Sequence, residues 1–103
     1  MSFVVKKLPP AEQDALDAAI WYEERQRGLG EEFLDEVDGA VRALRESALH
    51  NRVRFADVRR AAVPRFRFYG IYYTVHDNEV WILAILHGRR HPRVLQERAE
   101  QVD

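Results

Sequence analysis

The sequence has 103 residues, a mass of 12.1 kDa and no cysteine. That length predicts one domain over 1–103, and the missing Cys excludes a disulfide scaffold, a thiolate zinc site and a cysteine nucleophile. The net charge of −1 argues against a generic polyanion binder. The apolar runs are too short to cross a membrane, and no signal-peptide pattern opens the chain, so the expected place is the cytoplasm.

The net charge averages two unlike halves. Residues 1–51 hold 6 basic and 11 acidic side chains, whereas residues 52–103 hold 10 basic and 6 acidic ones. Of the 16 basic residues, 14 are Arg. Arg suits bidentate contacts to phosphate or carboxylate, although a high-GC genome favours the same codons.

In chain order, Phe3 to Leu8 is β-branched at its centre and predicts a strand. Pro9-Pro10 ends it and can open a helix, whose first turn leaves N–H groups unpaired. Residues 11–27 predict that helix, with Ala15, Leu16, Ala19, Ile20 and Tyr22 at three- and four-residue spacing. Gly28-Leu29-Gly30 is a stop signal in which Gly28 takes the left-handed position. A second helix over about 30–48 follows, with the stripe Phe33, Leu34, Val37, Val41, Leu44 and Ala48. The short link implies an antiparallel helical hairpin.

His50-Asn51-Arg52 reads as a loop, and the apolar period then changes to two. Val58 to Val63 predicts a strand with Pro64 at its end. Phe66 to Val75 predicts a longer one, with Phe66, Phe68, Gly70, Tyr72 and Thr74 on one face. His76-Asp77-Asn78-Glu79 is a hairpin signal, because Asp and Asn tolerate positive φ. Val80 to His87 is apolar on both faces and predicts the most buried strand. Residues 93–103 are a tail or a short helix anchored by Val94, Leu95 and Ala99. The order β-α-α-β-β-β(-α) is α+β: an N-terminal helical hairpin on a small, mainly antiparallel, twisted sheet.

Two clusters could carry chemistry. His87-Gly88-Arg89-Arg90-His91-Pro92 places two Arg, two His and a Gly at the exit of the most buried strand. A general base, an acid and a cation of this kind can cleave RNA through its 2′-OH; the alternative is a solvated basic turn. The second cluster is Arg59 and Arg60 with Arg65 and Arg67, the last two sharing a face if both lie in a strand. Exposed Arg guarding an edge strand is its alternative. The four His offer no metal-ligand spacing, and neither Ser2 nor Ser47 sits on a nucleophile elbow. No metal or other cofactor is expected.

The ordered set Ile20-Trp21-Tyr22-Glu23-Glu24, Gly28-Leu29-Gly30, Phe33-Leu34, Tyr72-Tyr73 and Ile85 to Pro92 resembles the ParE/RelE superfamily. These are toxins of type II toxin–antitoxin modules, also called plasmid stabilisation proteins. The resemblance covers residues 3 to about 95. It implies a cognate antitoxin as partner and one of two activities: ParE-like members bind and poison DNA gyrase, while RelE-like members cut mRNA on the ribosome without metal. In an ungapped match, Gly70 stands where the nuclease branch has a catalytic Arg. Ala61 and Val63 stand for a Lys pair, Gln96 lies near a C-terminal Tyr, and Arg90 alone keeps its basic character. A small shift of register brings in Arg60, Arg65 or Arg67. The resemblance therefore implies a ParE-like, non-enzymatic toxin first and an mRNA endonuclease second, with lost toxicity as a third reading. Catalytic candidates for the nuclease reading are Arg65, Arg67, His87 and Arg90. Target-binding candidates are Arg59, Arg60, Arg89, Arg90 and His91. Antitoxin-binding candidates are Leu16, Ile20, Phe33, Val37, Val41 and Leu44.

Overall fold

A computed structural model describes residues 2–88 and 91–102. The fold is α+β, with the element order β1 (Val4–Lys7), α1 (Pro9–Arg25), α2 (Leu29–Ser47), β2 (Val53–Phe55), β3 (Val58–Val63), β4 (Phe66–His76), β5 (Glu79–His87) and α3 (Pro92–Glu100). The strands form one sheet in the order β1-β5-β4-β3-β2. β1 runs parallel to β5, and every other pair is antiparallel.

The helical hairpin closes as its glycines require. Gly28 has φ of +88° and turns the chain between the helices. The Glu23 carboxylate accepts the N–H of Gly28 at 2.9 Å and of Gly30 at 3.0 Å, so one side chain satisfies two donors at the start of α2. The stripe of α2 faces the sheet. Phe33, Val37, Val41 and Leu44 are all buried, with Ala11, Ala15, Ala18 and Ala19 of α1 and with Ile71, Tyr73, Val80, Ile82 and Ile85 of the sheet. This corrects the expectation that those four α2 residues bind a partner, because their own sheet covers them. It also divides the expected stripe of α1. The alanines point inward, and Leu16 and Ile20 point outward, 44% and 58% exposed.

The opposite face of the sheet is covered in part by α3. Leu95 packs there with Leu8, Val58, Tyr72, Leu83 and Ala84, so part of the C-terminal segment is a helix with a buried anchor. A bulge in β5 lets it serve both faces. Tyr72 pairs with Ala84 but Tyr73 with Ile82, so consecutive Leu83 and Ala84 both join the α3 side.

Where β1 stops, a charge pair takes over the edge of β5. Leu8 N–H donates to Ile82 O at 3.0 Å, the last backbone bond on that side. Beyond it, Asp14 of α1 accepts the Ile85 N–H at 3.1 Å, and Arg98 of α3 donates to Leu83 O at 3.1 Å. Arg98 and Asp14 pair at 2.6 Å and are both largely buried. The pair supplies the donor and acceptor that a further residue of β1 would have given.

β2 is a three-residue edge strand in the stretch between the predicted loop at 50–52 and the predicted strand at 58–63. Its existence rests on pairing with β3. Arg59 holds the chain before it, donating to Asn51 O at 2.5 Å. Tyr73 Oη donates to Ala48 O at 2.7 Å beneath the same loop. Among the described residues, no helix is long and apolar enough to cross a membrane.

Candidate functional site

Two surfaces stand out, one on each side of the sheet. The first is a shallow groove across the outside of the hairpin, about 410 Å³, floored by Leu16, Ala19, Ile20, Gly30 and Leu34 and rimmed by Glu23 and Glu31. Leu16 and Ile20 are the two docking candidates that solvent reaches. Leu34, half-buried beside them, belongs to the same surface; its place in the α2 stripe hid this. Trp21 is also exposed, with Arg25 stacked 3.3 Å above its ring.

The second surface lies on the far face, at the end of the sheet that α3 leaves open. Adjacent strand residues point to opposite faces, so Arg59 and Arg60 part company. Arg59 serves the loop before β2. Arg60 crosses over Gly70 and is only 7% exposed. Its Nε donates to Tyr72 Oη at 3.3 Å. The Tyr72 hydroxyl in turn donates to Gly88 O at 2.7 Å, and Gly88 N–H to Phe68 O at 2.7 Å. A cavity of about 330 Å³ opens here between Arg60, Arg67, Phe68 and Gly88. Phe68 is 75% exposed, the most exposed of the large apolar residues.

Among the described residues, the nuclease candidates Arg65, Arg67 and His87 do not converge. Arg65 sits in the β3–β4 turn with φ of +69°, not in a strand. It donates to Glu32 at 2.7 Å, and that bond, with the nearby Glu32 charge, pushes its pKa up. Of the described candidates, Arg67 lines the Arg60 cavity. His87 lies between Phe68 and Tyr69, with ring centroids 5.8 and 5.2 Å away. His91 donates from Nε2 to His87 O at 2.6 Å. Arg89 and Arg90 lie outside the described residues. Ala61 and Val63, the ungapped match to a Lys pair, both face the hairpin core. Arg60, one residue earlier, is the basic side chain that β3 turns toward the open face.

Aromatic packing closes the rim beside His87. Tyr22, Phe33, Phe66 and Tyr69 form one cluster with centroids 4.9 to 5.9 Å apart. Burial pushes the Tyr22 and Tyr69 phenols above their ordinary range, with the neighbouring Tyr22 charge adding to the rise at Tyr69. Both therefore stay protonated near neutral pH. Among the described residues, no three His, Asp or Glu side chains gather as a metal would need.

The model of the ParE toxin of type II toxin–antitoxin system, parDE, matches residues 5–92. The chain belongs to the ParE toxin family. This toxin also superimposes on a solved chain described as "Chromosomal ParDE TA system from P. aeruginosa", with a TM-score of 0.67 and 22% sequence identity. The match covers 85% of this chain and 98% of the other, and establishes a shared fold. No curated protein matches the sequence.

Proposed function

We propose that this ParE-family toxin is neutralised by a cognate antitoxin and, when free in the cytoplasm, binds and poisons DNA gyrase rather than cutting RNA. The dispersal of Arg65, Arg67 and His87 among the described residues supports this most directly. Arg65 is tied to Glu32, Gly70 has no side chain, and no carboxylate or imidazole among the described residues hydrogen-bonds Arg60. Proton transfer needs a base and an acid within hydrogen-bond reach of the scissile group. On the far face His87 is stacked on Phe68 and His91 Nε2 is bonded to His87 O, so neither imidazole is hydrogen-bonded to Arg60.

The antitoxin dock follows from the hairpin groove. Leu16, Ile20 and Leu34 form an apolar strip of the spacing an amphipathic helix fills. The acidic rim of Glu23 and Glu31 favours basic residues flanking the apolar side of that helix.

Induction of the chain alone in a bacterium should arrest growth, and co-expression of the small protein encoded beside it should restore growth. In vitro, purified toxin with gyrase and supercoiled DNA should accumulate cleaved DNA while a translation extract keeps its mRNA intact. Cut mRNA with unaffected gyrase would sink this reading and install the endonuclease in its place.

A further inference from the structure

Arg60 presents a physical anomaly. Its Nη2 is buried and has no hydrogen-bond partner among the described residues. A guanidinium taken out of water without a counter-charge is costly, and such a group calls for an explanation. Among the described residues, the only side-chain partner of the head is the neutral Tyr72 hydroxyl, at Nε. The fold nevertheless makes room for the head. A Cβ at Gly70 would collide with Arg60 Nε and Cζ, and Gly88 leaves the cavity wall without a side chain. Arg67 places a second cation beside the cavity, and Phe68 offers an apolar ring at its mouth.

From this arrangement we infer that the Arg60 cavity is a receptor for a carboxylate, supplied by an Asp or Glu side chain of the antitoxin. The inference rests on the toxin reading above. A planar guanidinium whose Nη2 has no hydrogen-bond partner among the described residues matches the oxygens of a carboxylate. Depth selects the source. Nη2 lies below the surface, so the entering group must be slender, and a carboxylate on a flexible side chain is. The phosphodiester of a nucleic acid is flanked by its sugars and is bulkier than a side-chain carboxylate, and the exposed Arg67 is the more accessible cation for it. The missing charge of Arg60 thus arrives with the partner.

The resonance of Arg60 Nε–H makes this testable, because its bond to Tyr72 slows exchange. Titration of the free, ¹⁵N-labelled chain with sodium acetate should shift that resonance saturably. Sodium chloride at matched ionic strength should not. No saturable acetate shift, or a stronger response to phosphate or a single-stranded oligonucleotide, overturns the proposal. Arg60→Met then separates binding from folding. The variant should melt at the same temperature as the parent or higher, since it loses a buried unpaired charge. Its affinity for the antitoxin should fall roughly tenfold or more. A lower melting temperature with unchanged affinity would make Arg60 a structural residue and overturn the inference. If the parent chain binds no antitoxin, the toxin reading fails and with it the source of the carboxylate. The acetate titration then still judges the cavity.

Discussion

Gly70 lacks a side chain because Arg60 fills the space its Cβ would occupy. Gly70→Ala should cost about 1–3 kcal/mol in urea unfolding, the usual range for overpacking. The cost should largely vanish when Arg60→Ala is made as well, because that change removes the Cγ, Nε and Cζ that a Cβ at Gly70 would meet. An equal cost in both backgrounds would refute the crowding. Glu79 gives a pH-dependent counterpart at the sheet edge. Lys6 Nζ lies 2.8 Å from its carboxylate, and the Trp81 indole N–H donates to it at 3.1 Å. Those two bonds, Lys6 first, hold its pKa below the ordinary 4.5. A lowered carboxylate pKa adds stability that is present above the ordinary value and lost as pH falls through the lowered one. Unfolding free energies of the parent and Glu79→Gln should therefore differ above about pH 4.5 and converge as the solution is acidified below it. A gap of constant size across that range would rule out the linkage. The pair is partly solvent-exposed, so added salt should narrow the gap.

At the scale of elements, the Asp14–Arg98 pair joins α1, β5 and α3 at one point. Asp14→Ala strips the Ile85 N–H of its acceptor and leaves Arg98 largely buried without a carboxylate. It should cost about 2–4 kcal/mol by urea unfolding. Arg98→Met should cost a similar amount, because it strips Leu83 O of its donor and leaves Asp14 largely buried without a cation. A negligible cost for either variant would show that the edge bonds to β5 are unimportant. No sequence pattern announces this pair, since its members lie 84 residues apart. The elements themselves were more legible. The α2 stripe, the Gly28 turn and the positive φ of Asp77 all follow from local chemistry. α1 was half legible: its apolar spacing marks a helix, but alanine and leucine fit the pattern equally. Close approach to β5 then selects the alanines for the inner side. β2 was invisible because three residues carry no period, and a strand that short is defined by its neighbour. Alternation in β3 separates Arg59 from Arg60, but the pattern does not say which face α3 leaves open. The Arg60 cavity was therefore legible as a basic pair and illegible as a buried one.

Taken whole, the toxin is a sheet with an acidic hairpin on one side and a partly open, arginine-bearing face on the other. The groove at Leu16, Ile20 and Leu34 and the cavity at Arg60 lie on opposite sides of that sheet and share no residue. An antitoxin that uses both must reach from one side of the sheet to the other. Its helical segment would carry basic residues toward Glu23 and Glu31, and a second segment would carry acid toward Arg60. Engagement at two linked points gains from effective concentration, so each contact reinforces the other without new area. Sites without shared partners add in free energy to within about 0.5 kcal/mol. Ile20→Glu should weaken antitoxin binding roughly tenfold or more by putting an unpaired charge against the apolar strip. Combined with Arg60→Met, the loss should be the product of the two, within about twofold. Titration calorimetry on the four proteins checks it. A double variant no weaker than Ile20→Glu alone would mean that the bound antitoxin never reaches the far face. Rising ionic strength should weaken the parent complex more than the Arg60→Met complex, because the variant has already lost one charge contact.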